Sequence, residues 1–334
     1  MTLTRTFAIV CSSFLAVAAA GCDNKKKDPP QGATGSTPAA AAAAAAAPVP
    51  APAPAPPPPP PAAPADKRIV VKDGGFATPE SILYDAAADV YLVANINGEP
   101  GGADDNGFIS KVTPDGKVAE LKWIDGSKPD VKLDAPKGMA ISGDILWVAD
   151  LTVVRKFDAK TGAPKGEVKV KGATFLNDVV AADGGGVYVG DSGFDAKFAP
   201  TGADAVHHIT KDGKVKPLVK AKDLGRPNGL VVAGGSVWVV TFGSGEIFEV
   251  TMKGEKKAGV KLPKGQLDGL LAGSDGGLLI SSWEGKAVYA GKPGGEWKEV
   301  LSDVEAPADI GWDSKRNVLL VPQFNANALI LLPL

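Results

Sequence analysis

The stretch Pro227-Asn228-Gly229-Leu230-Val231-Val232-Ala233-Gly234-Gly235-Ser236-Val237-Trp238-Val239-Val240 decides the fold. A polar tetrapeptide opens it, and an apolar, β-branched run bounded by Gly and Ser follows. The tetrapeptide recurs as Pro79-Glu80-Ser81-Ile82, Pro136-Lys137-Gly138-Met139, Leu176-Asn177-Asp178-Val179, Leu267-Asp268-Gly269-Leu270 and Pro307-Ala308-Asp309-Ile310. The intervals are 57, 40, 51, 40 and 40 residues, the period of a propeller or an array. An apolar run follows each copy: Val90 to Ala94, Ile145 to Ala149, Val187 to Gly190, Ser236 to Val240, Leu278 to Ser281 and Val318 to Val321. Short apolar runs bounded by Gly, Asp, Asn or Ser read as buried central strands.

Third strands follow, such as Phe108 to Val112, Val154 to Asp158, Ile247 to Val250 and Ala287 to Ala290. Fourth strands include Val118 to Leu121, Val215 to Val219 and Trp297 to Leu301. Four strands in each of six repeats predict an all-β, six-bladed β-propeller over residues 66–334. The last repeat ends at Ala328 to Leu332 without a fourth strand. Arg68 to Lys72, ahead of the first repeat, is expected to complete blade six and close the ring, which removes an exposed edge.

Composition fixes where folding starts. Residues 28–65 hold 14 of the 28 prolines and 16 alanines, so 30 of 38 positions are Pro or Ala and cannot build a core. The tract 22–65 reads as a disordered, partly polyproline-II spacer. Residues 66–334 carry 32 basic and 36 acidic side chains, a net of −4, with no basic run; nucleic-acid binding has no electrostatic footprint. Cys11 and Cys22 both precede this region, so it contains neither disulfide nor thiolate chemistry.

Arg5 followed by the apolar and small residues Phe7 to Ala20 suits a signal-peptide core better than a membrane span. It ends in Ala19-Ala20-Gly21-Cys22, which resembles a bacterial lipobox, with Ala19 in place of the preferred Leu. The resemblance implies a signal peptide over 1–21, lipidation of Cys22 and a membrane-tethered soluble domain. Asp23 after the cysteine resembles an inner-membrane retention signal, so the expected site is the periplasmic face of the inner membrane, with the outer membrane as the other option.

In a propeller the first strand of each blade lines the tunnel, which turns Glu80, Lys137, Asn177, Asn228, Asp268 and Ala308 toward the axis. Four of these carry oxygen donors, two anionic and two neutral. Such a set suits a hard dication such as calcium. Glu80-Ser81, Asn177-Asp178, Pro227-Asn228-Gly229 and Asp268-Gly269 resemble the axial motifs of the senescence marker protein/gluconolactonase family, whose six-bladed relatives include regucalcin and paraoxonase. The resemblance spans all six repeats. It implies that Glu80, Asn228 and Asp268 hold a divalent metal, with Asn177 as a fourth ligand or a substrate contact. It also implies hydrolysis of a lactone or ester, Asp268 doubling as the base toward water.

Two departures qualify the transfer. Gluconolactonases carry a sugar-anchoring Arg two residues before the Asn-Asp pair, where this chain has Phe175; an apolar ester or lactone is expected rather than a sugar lactone. Lys137 would repel a dication or pair with Glu80 and Asp268 as an ionic plug. Two readings therefore stand: an envelope-anchored calcium-dependent lactonase or esterase, and a non-catalytic module resembling NHL-repeat proteins that binds a protein or glycan partner. A monomer is the expectation in both.

Other motifs carry less. Gly190-Asp191-Ser192-Gly193 resembles a serine-protease nucleophile segment, yet the only histidines, His207 and His208, come after it, which is the wrong order. Adjacent histidines on a strand face opposite sides and cannot chelate together. The insertions Ile96 to Gly107 and Gly193 to Val206 account for the long intervals and are candidate lids. Five tryptophans are expected between blades; Trp283, just past a strand end, is the candidate ligand platform.

Overall fold

A computed structural model of the chain describes residues 67–273 and 275–334. The signal peptide expected over 1–21, the expected lipidation site Cys22 and the spacer expected over 22–65 fall outside the described residues. Among the described residues there are six four-stranded antiparallel sheets and no α-helix, a six-bladed β-propeller.

Blade 1 takes Pro79–Asp85, Val90–Asn95, Phe108–Val112 and Val118–Asp125; blade 2 takes Pro136–Ser142, Ile145–Asp150, Val153–Asp158 and Pro164–Lys169. Blade 3 is Leu176–Ala181, Val187–Asp191, Ala205–Ile209 and Val215–Lys220, and blade 4 is Pro227–Ala233, Ser236–Thr241, Glu246–Thr251 and Val260–Lys261. Blade 5 is Leu267–Ala272, Leu278–Ser282, Ala287–Gly291 and Trp297–Leu301. Blade 6 combines Gly311–Asp313, Val318–Gln323 and Ala328–Pro333 with the N-terminal Ile69–Val71. That closing strand is antiparallel to Ala328–Pro333, Ile69 opposite Leu331 and Val71 opposite Leu329, as the missing fourth strand predicts.

The ring is held between blades. Alternation puts apolar side chains on both faces of each sheet, and adjacent faces meet as separate clusters, such as Leu92, Ile109, Leu146 and Phe157 between blades 1 and 2. Each fully buried aliphatic or aromatic side chain there contributes about 1.5–3 kcal/mol. Val71, Tyr91, Leu320 and Leu331 pack the closing seam. There the Tyr91 hydroxyl also donates to Asp313 Oδ2 at 2.7 Å, joining blade 1 to blade 6.

One irregularity positions the axis. In blades 2, 3, 4 and 5 the inner strand advances three residues while its neighbour advances two: Pro227 faces Thr241, but Leu230 faces Val239. Blade 1 has the same one-residue bulge between Pro79 and Ser81. A bulge releases the repeated polar residues from the ladder and re-aims their side chains. Glycine in the bulge lets inner strands close on one another, since a Cβ on Gly229 would strike the Asp268 carbonyl oxygen.

Candidate functional site

The inner strands deliver five of the six axial residues to one cavity of about 530 Å³, lined by Glu80, Lys137, Asn177, Asn228 and Asp268. Ala308 is fully buried and does not line it. All five polar residues are buried. Glu80 Oε2, Asn228 Oδ1 and Asp268 Oδ1 have no hydrogen-bond partner. Three acceptors from three blades, desolvated and unmatched, cost free energy unless a cation or donor meets them. Asn177 Nδ2 donates to Ser192 Oγ at 3.3 Å, which fixes its amide plane.

Protein groups alone make this cavity rich in carboxyls that are hard to ionise. Burial, then repulsion from Asp268, pushes the Glu80 carboxyl well above the usual range, and Lys137 opposes the rise. Burial pushes Asp268 up to about 8. The Trp283 indole faces Asp268 closely enough to oppose that shift, although neither Trp283 Nε1 nor Asp268 Oδ1 completes a hydrogen bond of good geometry. Burial also raises Asp178 to about 6, against N–H donations from Leu230 and Val179 to its carboxylate. Asp309, half-buried, is raised well above its usual value by desolvation and then by repulsion from Asp178, Glu80 and Asp268.

Lys137 closes no plug. Its Nζ donates to the Ala135 carbonyl at 3.0 Å and sits 4.5 Å from the Phe175 ring centre. Among the described residues it makes no ion pair with Glu80 or Asp268. Burial lowers its pKa, with Glu80 the largest opposing influence. Phe175, at the position where a sugar-anchoring Arg was absent from the sequence, thus carries the ammonium on its face.

The cavity walls are aromatic, and most of them were not singled out from sequence. Phe175, Phe194 and Phe198 form one cluster with ring centres 5.6–5.7 Å apart. Trp283 meets Phe242 at 5.5 Å and Phe324 at 5.1 Å across the cavity lining. Phe242, Trp283 and Phe324 each follow the last residue of a second strand, so their equivalent positions were a readable signal. Arg226 and Gln266 also line the cavity. Both precede an inner strand in the left-handed region, at φ 62° and 50°. Both insertions border the site as expected of lids: Ile96 and Pro100 come from one, Phe194 and Phe198 from the other, and Gly101 packs on Ala196 between them.

The remaining motifs are structural. The Asp191 carboxylate accepts N–H groups from Thr174, Phe175 and Gly193, and Ser192 Oγ donates to the Pro227 carbonyl. Trp123, Trp147, Trp238, Trp297 and Trp312 lie in or against the inter-blade clusters.

Comparison with known proteins agrees with this architecture. No protein-family model matches the sequence, and no curated protein matches it. Among solved structures, a gluconolactonase from Xanthomonas campestris superposes with a TM-score of 0.62 at 17% identity, over 80% of this chain and 89% of the other. A luciferin-regenerating enzyme gives 0.59 at 15% identity over 80% and 97%. Virginiamycin B lyase from Staphylococcus aureus gives 0.56 at 15% over 80% and 99%. At such identities the likeness establishes the shared propeller fold.

Proposed function

We propose that this chain is a divalent-metal-dependent hydrolase of apolar lactones or esters, tethered to the cell envelope through Cys22. The observation that carries the reading is the convergence of Glu80 Oε2, Asn228 Oδ1 and Asp268 Oδ1, buried and unpartnered, on one cavity. Hard oxygen donors of mixed charge fit calcium better than a softer metal. Glu80, Asn228 and Asp268 would hold it, with Asn177 beside them. A bound dication supplies Lewis-acid polarisation of a carbonyl and stabilises the charge that develops there.

The chain's own groups do the rest. The aromatic walls pack the apolar part of the substrate and exclude bulk water. Asp268 accepts a proton from the attacking water at a carboxylate oxygen, and Asn177 orients the carbonyl side of the substrate. The names of the gluconolactonase and luciferin-regenerating neighbours support an enzyme on this fold.

Lys137 is the observation that favours the second reading, a non-catalytic NHL-like propeller binding a protein or glycan, because an ammonium in the cavity opposes a dication. The full-length protein separates the two. Bound calcium is measured, then a panel of aryl and aliphatic lactones and esters is assayed with and without chelator. The hydrolase reading expects bound calcium, turnover lost in chelator, and both lost in Glu80→Gln. Metal-free protein without turnover leaves the binding module.

A further inference from the structure

Arg226 is a cavity group that metal binding leaves unused. Its guanidinium lies 5.1 Å from the Phe194 ring centre, and among the described residues it forms no ion pair and no side-chain hydrogen bond. Its position is nevertheless built. The Arg226 N–H donates to Asp204 Oδ2 at 2.8 Å, and its carbonyl accepts the Phe242 N–H at 3.0 Å. These bonds hold the left-handed backbone at φ 62°, a conformation that costs a non-glycine residue energy. Gly243 leaves the side chain its path, since a Cβ there would lie 2.8 Å from Nη1.

A guanidinium stacked on a ring keeps its planar fork of N–H donors free, which matches a carboxylate edge on. The remaining charges of the lining argue for a monoanion. One free guanidinium balances one negative charge and leaves the second charge of a dianion, such as a phosphate monoester, without a partner. Lys137 is already committed to Ala135 and Phe175.

We infer that Arg226 is a specificity residue selecting ligands that combine an apolar, ring-sized body with a carboxylate. The body packs on Phe194, Phe242 and Trp283, and the carboxylate takes the fork. This rests on the cavity as the ligand site and not on the metal.

Calorimetric titration of the full-length protein with 4-phenylbutanoate and its neutral amide tests the inference, each in chelator and again in calcium. In chelator the acid is expected to bind at least about tenfold tighter than the amide. Arg226→Gln should remove that preference while amide affinity, which reports an intact cavity, stays within about twofold. Lys137→Met should keep the preference. Equal affinity for acid and amide in the wild type, or a preference that survives Arg226→Gln, overturns the assignment, as does failure of both probes to bind. An acid preference confined to the calcium form and indifferent to Arg226 overturns it too, while supporting the metal reading.

Discussion

Asp268→Asn in the metal-free protein is expected to stabilise the fold at alkaline pH. The buried Asp268 carboxyl is raised from 3.8 to about 8. A folded-state pKa above the unfolded one gives a contribution fully present below the unfolded value and lost as pH rises through the folded one. Between those limits each pH unit costs the fold about 1.4 kcal/mol, so the step from pH 5 to pH 8 amounts to on the order of 4 kcal/mol. The amide fills nearly the same volume and cannot ionise. Urea unfolding in chelator reads the difference. With an m-value of about 3 kcal/mol/M, the wild-type midpoint should fall by roughly 1 M from pH 5 to pH 8. Asp268→Asn should lose this part of the fall and keep only the further part that Glu80 and Asp309 add, since their carboxyls are also raised. Calcium should restore the wild type at pH 8 and leave the variant unchanged, since binding to the native state alone shifts the equilibrium. A wild-type midpoint independent of pH in chelator refutes the reasoning, and so does a variant less stable than wild type at every pH.

Lys137→Met removes an ammonium that shares the cavity and would repel a bound dication, and calcium affinity by calorimetry should rise about tenfold; unchanged affinity places the ion away from Lys137. Gly229→Ala drives a methyl into the Asp268 carbonyl of the next blade, and a loss of about 3 kcal/mol or more is expected in urea unfolding. Tyr91→Phe deletes the hydroxyl bonded to Asp313 across the closing seam; the expected cost is about 1.5–3 kcal/mol, and a loss below about 0.5 kcal/mol would show that packing alone holds the seam.

Local, periodic features were legible without coordinates. The tetrapeptide marks each inner strand because a propeller repeats one bulge around an axis, so equal spacing in sequence becomes equal rotation in space. The count of strands fixed the closure as well: blade 6 lacks a strand, and Ile69–Val71 supplies it. Axial placement of Glu80, Asn177, Asn228 and Asp268 followed from the same regularity, and the cavity collects them together with Lys137.

Tertiary structure alone decided what surrounds those residues. Phe194 and Phe198 stand on an insertion whose path has no period, and whether its rings reach the axis depends on how it folds against Pro100 and Gly101. The fate of Lys137 was equally open in sequence: its ammonium could meet a carboxylate or a ring, and the position of Phe175 gave it the ring. Arg226 gained its place from a left-handed turn tied to Asp204 beside blade 3 and from a missing side chain at Gly243 on the neighbouring strand end of blade 4, contacts between residues far apart in sequence. Spacing in a repeat sets which strands are neighbours. Burial, charge and free valence at a site arise only when distant segments share one space, because those are sums over everything nearby and not properties of any single stretch.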